Sequence, residues 1–165
     1  MNQNNEKIAR HHVFILWALA LAVWLLAPGL LPAQTNACAL LKAADVAPLL
    51  GGTPTNTTTP KGMTCTWTGS NAKRKLIILT YEDRIPGSVM FMGARQGAGA
   101  DGKKMVSDET GIGDKAFSVQ ESFGVIFIVL KQGRVLQLQY LTGGQATSQD
   151  VAALRPLMKK AVAAF

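Results

Sequence analysis

Residues 124–140, with the sequence GVIFIVLKQGRVLQLQY, decide the fold of this chain. Residues 124–130 are apolar on both sides of a two-residue repeat, which is typical of a strand buried on both faces. Residues 134–140 alternate between apolar and polar side chains, which is typical of a strand with one buried face. The three residues between them include a glycine and form a short connection. The segment therefore predicts an antiparallel hairpin whose first strand lies inside the sheet.

Three further segments predict strands: 63–68, which alternates with period two, 75–81 and 115–120. The first of them places Cys65 and Trp67 on one face and three threonines on the other. Of the six residues between the first two segments, 69–72 form a turn, which predicts a second hairpin. The preceding residues, 53–62, are polar without periodicity and predict an exposed loop.

Helical spacing of apolar residues occurs in three regions: 39–50, 86–96 and 148–165. Gly51-Gly52 ends the first region, Pro86 suits the first turn of the second, and Ser148 can cap the third. The predicted order is αββαβββα. This order predicts an α+β domain, with an antiparallel sheet of about five strands and helices packed on one face.

The composition indicates a folded chain, with 48% hydrophobic and 16% charged residues. Disordered chains show the opposite balance of low hydrophobicity and high charge. The part that follows residue 33 is long enough for one domain and too short for two well-packed ones. We therefore expect a single exported domain over residues 34–165.

The first 33 residues have the pattern of an export signal. Two basic residues precede an apolar run over residues 13–27, which as a helix would be about 22 Å long, short of the roughly 30 Å bilayer core. Prolines follow, and Ala33 is a small residue suited to the position before cleavage. We expect a signal peptide over residues 1–33, or alternatively a retained anchor over residues 13–31. Either interpretation places the rest of the chain in the periplasm or outside the cell.

The two cysteines, Cys38 and Cys65, predict a disulfide, because exported thiols meet an oxidising compartment. Closing the loop between them would stabilise the domain by roughly 3–4 kcal/mol. The spacing is not that of a redox or metal pair. Acylation of Cys38, as in a lipoprotein, is the alternative, and the polar residues 35–37 before it disfavour that alternative.

Both histidines, His11 and His12, lie in the predicted leader, which excludes histidine-based triads, Cys-His pairs and common zinc sites from the exported part. We expect no metal site and no cofactor. The stretch 97–104 contains the G-x-x-x-x-G-K part of a phosphate loop but has Lys104 where magnesium binding needs Ser or Thr. Catalysis would require paired carboxylates, for which the candidates are Glu82, Asp83, Asp108, Glu109 and Asp114.

The chain is basic, with a formal net charge of +7 at pH 7. Basic residues cluster at residues 73–75 and at residues 159–160. A basic protein invites a nucleic-acid partner, but export disfavours one and leaves anionic lipid headgroups or envelope polymers as available partners. We expect no nucleic acid, and membrane attachment only through the N-terminal segment if it is retained.

Several short motifs resemble a known group of domains: CALLKAADV at 38–46, Leu50-Gly51, Cys65-x-Trp67, and GIGDKAF at 111–117. The chain is similar to small exported, lipoprotein-like bacterial domains of the domain of unknown function 3558 group. It also resembles the extracellular sensor domain of a mycobacterial serine/threonine kinase. The resemblance spans most of residues 38–165, although a proper lipobox is missing. It implies an envelope-facing binding or sensing module without known catalytic residues.

Together these observations predict a non-enzymatic envelope module that binds a small apolar ligand or an envelope component. A groove between helices and sheet would receive the ligand. Two alternatives remain: a carboxylate-dependent envelope hydrolase, and a structural envelope protein that assembles through a sheet edge. The candidate groove residues are Tyr81, Met90, Phe91, Phe117 and Phe127.

Overall fold

A computed structural model describes residues 36–70, 73–81, 86–100, 102 and 104–165, apart from the side chains of Leu79 and Tyr81. The predicted signal segment, residues 1–33, lies outside the described residues.

The described part contains three α-helices and seven β-strands. The helices are α1 (Ala43–Leu50), α2 (Gly87–Gly99) and α3 (Ser148–Ala164), and a one-turn 3₁₀ helix, Ala37–Ala39, precedes α1. The strands are β1 (Thr55–Thr58), β2 (Thr64–Thr68), β3 (Lys75–Tyr81), β4 (Met105–Glu109), β5 (Lys115–Glu121), β6 (Gly124–Lys131) and β7 (Arg134–Leu141). No helix in these described ranges is both long and apolar enough to cross a bilayer.

All seven strands form one antiparallel sheet with the order β1-β2-β3-β7-β6-β5-β4. Strands β1–β3 form one meander and β4–β7 another, and the two join where β3 pairs with β7. The predicted hairpin over 124–140 is confirmed as β6–β7, with Lys131 opposite Arg134 at its turn. The predicted hairpin β2–β3 is also confirmed.

The prediction of about five strands in the order αββαβββα is wrong, because two edge strands were missed. The first, β1, falls in the predicted loop 53–62, and its four residues are all exposed. The second, β4, has little more than Glu109 buried. Edge strands of this kind bury too little to show an apolar period, so pairing with β2 and β5 defines them. The observed order, counting α-helices and strands, is αβββαββββα.

The prediction that the helices pack on one face is also wrong. Helices α1 and α3 cover one face of the sheet, together with the 3₁₀ turn, and α2 covers part of the other. The reason lies in β6, where Phe127 points to the α1–α3 face and Ile128 to the α2 face. A strand that is apolar on both faces requires cover on both sides.

Two hydrophobic clusters follow from this layering. The larger, on the α1–α3 face, includes Val46, Leu50, Trp67, Ile78, Phe127, Leu138, Tyr140, Leu154 and Met158. The smaller, on the α2 face, consists of Phe91, Phe117, Val119, Ile128, Leu130 and Val135, with Met90, Ala94, Ala98, Val106 and Ile126 packed against it.

Helix α3 begins with a reciprocal capping arrangement. The hydroxyl of Thr147 accepts a hydrogen bond from the Asp150 amide at 3.4 Å, and the Asp150 carboxylate accepts one from the Thr147 amide at 2.8 Å. The cap is therefore Thr147, one residue before the predicted Ser148. This arrangement satisfies amide groups that a helix start leaves without partners and fixes where α3 enters the fold.

Replacing Gly93 in α2 should stabilise the domain. Nothing lies within 4 Å of the position that a Cβ would take there, and alanine is about 0.5–1 kcal/mol better than glycine inside a helix. Chemical denaturation of Gly93→Ala should therefore show a higher free energy of unfolding. Gly87→Ala is the control of opposite sign, because its Cβ would lie 2.1 Å from the Gly133 carbonyl oxygen. An unchanged or lower stability of Gly93→Ala would contradict the prediction.

Candidate functional site

The predicted disulfide between Cys38 and Cys65 is present, with an S–S distance of 2.01 Å and a Cα–Cα distance of 5.0 Å. It joins the 3₁₀ turn to β2 at the buried position Cys65. The sulfur of Cys38 is engaged in this bond, so it is not available for acylation in this state. The link holds the start of the described chain against the sheet.

A pocket lies between the first half of α3 and strands β4 and β5. Its volume is about 180 Å³, and its lining combines hydroxyl, amide and guanidinium groups with a similar share of apolar surface. We call it the Arg155 pocket. Its lining residues are Met105, Ser107, Ser118, Gln120, Ser148, Val151, Ala152 and Arg155.

An ion pair between a buried carboxylate, Glu109, and the half-exposed Arg155 lies beside the Arg155 pocket. The Nε and Nη2 atoms of Arg155 donate to the two carboxylate oxygens of Glu109, at 2.8 and 3.1 Å. The Ser118 hydroxyl donates to Oε1 of Glu109 at 2.8 Å. The Glu109 side chain is 4% exposed and that of Arg155 is 43% exposed. The carboxylate is therefore inside, while part of the guanidinium faces the pocket.

The electrostatics of this pair keep Glu109 ionised. Burial acts to raise the pKa of the Glu109 carboxyl, but the hydrogen bonds from Arg155 and Ser118 outweigh burial and hold that pKa below its ordinary value. The same contact raises the pKa of Arg155. A carboxylate with a lowered pKa is a weak base, so this pair is suited to fixing a guanidinium in place and not to proton transfer.

The other candidate carboxylates are not brought together with Glu109. Asp108 points to the opposite face, where Arg95 contacts it at 3.1 Å. Asp114 accepts a hydrogen bond from the Gln132 amide at 2.7 Å, in the turn between β6 and β7. Glu82 and Asp83 lie outside the described residues. The described candidates Asp108, Glu109 and Asp114 thus each bind a different partner.

The GIGDKAF motif at 111–117 has a structural role at the far end of the sheet. Gly113 has φ +61°, and a Cβ there would lie 2.4 Å from Val129 Cγ1. The next residue, Asp114, donates its amide to the Leu130 carbonyl at 2.8 Å and its carboxylate binds the turn at Gln132. Ile112 is buried in the larger cluster. The motif therefore locks the β6–β7 turn onto the start of β5.

The candidate groove residues separate into two places. Met90, Phe91 and Phe117 belong to the cluster on the α2 face, where the two phenylalanine rings meet edge to face with centroids 5.2 Å apart. Phe127 lies in the cluster on the opposite face, so it cannot share a groove with Phe117. The side chain of Tyr81 lies outside the described residues. Phe91, Phe117 and Phe127 are all buried and fill the core.

The Arg155 pocket could not be predicted from the sequence. The ion pair beside it depends on Glu109 in β4, a strand that the sequence did not predict. Arg155 follows the buried Leu154 in a helix whose apolar stripe was recognised, and a basic residue beside such a stripe is ordinary. Glu109 was among the candidate carboxylates, but nothing in the sequence connected it with Arg155.

Within the described ranges, no group of three or more His, Cys, Asp or Glu side chains is arranged to hold a metal ion. No family model, curated protein or solved structure matches this chain.

Proposed function

We propose that this chain is an exported, non-enzymatic binding or sensing module of the cell envelope, and that the Arg155 pocket receives the anionic end group of an envelope component. The observation that carries the proposal is the guanidinium of Arg155, held by a buried carboxylate and directed into a pocket of serine hydroxyls. Export rests on the predicted leader and fits the disulfide, since paired thiols persist in oxidising compartments.

The donors in the pocket define the chemistry of the ligand. Glu109 occupies two nitrogens of Arg155, and the other N–H groups of that guanidinium have no hydrogen-bond partner among the described residues. Ser107 and Ser148 add exposed hydroxyls, and Ser148 sits in the first turn of α3, where a helix favours negative charge. A carboxylate matches these donors better than a small apolar ligand does.

The size of the pocket limits what enters it. A volume of about 180 Å³ is below the roughly 300–1,000 Å³ of clefts that hold drug-sized ligands. A terminal carboxylate with the adjoining few atoms fits this space, whereas a whole drug-sized ligand does not. The pocket therefore suits the end of a polymer or peptide whose remainder stays outside.

Binding of a short peptide with a free C-terminal carboxylate tests the proposal, with the same peptide carrying a C-terminal amide as the matched probe. In two-dimensional NMR titrations, the carboxylate peptide should shift the amide signals of Ser107, Ser118 and Arg155, and the amidated peptide should not. The mass of the peptide should stay unchanged after prolonged incubation.

Ser107→Leu should abolish these shifts, because the larger side chain fills the pocket while Glu109 and Arg155 themselves are unchanged. Ser88→Leu is the matched control, since it makes the same change at an exposed serine of α2 on the other face. Equal binding of both peptides, retained binding by Ser107→Leu, or turnover of the peptide would each refute the proposed function.

A further inference from the structure

Two large apolar side chains are exposed at one end of the sheet. Phe123, in the turn between β5 and β6, is 65% exposed, and Met105, the first residue of β4, is 64% exposed. Both lie at the same end, because Met105 pairs with Gln120 close to the β5–β6 turn. Phe123 therefore contributes little to the core, and exposed apolar groups that lie together within a polar rim are typical of a contact surface.

The basic cluster at residues 73–75 lies at the same end. The Thr142 amide donates to the Phe123 carbonyl at 3.1 Å. The next residue, Gly143, touches Lys73, since a Cβ on this glycine would lie 2.9 Å from the Lys73 Cβ. Lys73 and Arg74 are exposed. Two consecutive residues therefore connect the aromatic turn to the cations.

Two described acidic side chains at this end have partners of their own. Glu121 is 2.8 Å from Lys104, and Asp150 caps the start of α3. We call the surface formed by Lys73, Arg74, Lys75, Met105 and Phe123 the Phe123 end. The described residues on this surface combine positive charge with exposed apolar groups.

We propose that the Phe123 end docks on an anionic phospholipid bilayer, with the Phe123 ring at the boundary between headgroups and acyl chains and Lys73, Arg74 and Lys75 beside the lipid phosphates. Cations gain from the negative surface potential of such a membrane. Contact with the membrane lowers the free energy of an apolar ring only where the ring leaves water. A soluble acidic polymer would satisfy the cations but would leave Phe123 exposed, so the pairing of both features selects a bilayer.

This proposal does not depend on the ligand of the Arg155 pocket. Met105 belongs both to the Phe123 end and to the lining of that pocket, so docking would bring the mouth of the pocket close to the membrane. The two proposals are tested by different variants and different probes.

Co-sedimentation of the protein with vesicles tests the docking. Vesicles of phosphatidylglycerol and phosphatidylcholine should bind the protein, and vesicles of phosphatidylcholine alone should not. Binding should fall steeply with added salt, because the contribution of the cations is screened. Equal binding to both kinds of vesicle would overturn the proposal.

Variants separate the two contributions. Lys73→Ala/Arg74→Ala should weaken binding about thirtyfold, since each cation near an anionic surface contributes about fivefold. Phe123→Ser should weaken binding about tenfold through the loss of the buried ring. Circular dichroism verifies that each variant is folded.

Matched controls lie elsewhere on the molecule. Lys61→Ala/Lys159→Ala removes the same charge from exposed positions toward the opposite end of the sheet, and Val89→Ser removes an apolar side chain of 52% exposure from α2. Both should bind vesicles as the unchanged protein does. If Phe123→Ser binds the vesicles as tightly as the unchanged protein does, the cations alone cause the binding, as they would with any polyanion. That result would refute docking on a bilayer. Ser107→Leu should leave vesicle binding intact. A failure of the pocket proposal can therefore be distinguished from a failure of the docking proposal.

Discussion

Reduction of the Cys38–Cys65 bond is expected to lower the free energy of unfolding by about 3–4 kcal/mol, because the bond closes a loop with a sequence separation of 27 residues. The unfolded chain regains the freedom of that loop once the bond is opened. For a domain of this size the loss corresponds to a decrease in Tm of about 10 °C. Thermal unfolding with and without a reductant measures it.

The variant Cys38→Ala separates the cross-link from the packing of the sulfur atoms. Cys38 is half-buried, whereas Cys65 is fully buried, so truncation at position 38 removes little packed volume. The oxidised protein should be the most stable, and the reduced protein and Cys38→Ala should unfold at similar temperatures. Identical melting of the oxidised and reduced protein would show that the bond contributes nothing.

Strands with one buried face could be predicted from the sequence, because burial of one face requires apolar residues at every second position. The alternation in residues 63–68 predicted a strand whose observed bounds are Thr64–Thr68. In the same way the position of Cys65 beside Trp67 on an inward face anticipated the buried end of the disulfide. Both inferences needed local pattern alone.

The edge strands and the placement of α2 depend on contacts between distant residues. Exposed Thr55–Thr58 is held by pairing with β2, which leaves no apolar signature. The helix Gly87–Gly99 could have packed on either face of the sheet. The apolar residues on both faces of β6 indicate that the second face also requires cover. A single helix pattern does not say which face it covers.

The Arg155 pocket shows the same limitation for function. Glu109 and Arg155 are separated by 46 positions, and neither lies in a motif that predicts chemistry. Their contact becomes visible when β4 pairs with β5 and α3 crosses the same end of the sheet. The motifs that were recognisable, such as GIGDKAF, proved to shape turns instead.

Arg155→Met is expected to destabilise the domain by about 2–3 kcal/mol at pH 7. Removing one partner of a buried ion pair costs about 3–5 kcal/mol, and the 43% exposure of the Arg155 side chain reduces that figure through solvent screening. The carboxylate of Glu109 would stay buried, with Ser118 as its remaining hydrogen-bond donor. Urea denaturation measures the change.

The double variant Glu109→Gln/Arg155→Met is the matched control. A neutral amide is cheaper to bury than a carboxylate without its counterion, so the double variant should be more stable than Arg155→Met alone. If the two variants unfold at the same urea concentration, the unpaired charge is not the source of the loss.

The pH dependence gives a second test with a definite sign. In the unchanged protein the pKa of Glu109 is below its ordinary value of 4.5, so the stabilisation from the pair is complete above about pH 4.5 and disappears as the pH falls through the folded-state pKa. In Arg155→Met, burial without the counterion should raise the pKa of Glu109 instead. Protonation of Glu109 then removes the free-energy cost of the unpaired buried charge. The stabilities of Arg155→Met and of the unchanged protein should therefore converge as the pH falls from 7 toward 4. A difference that stays constant over this range would show that Arg155 acts through packing and not through the charge of Glu109.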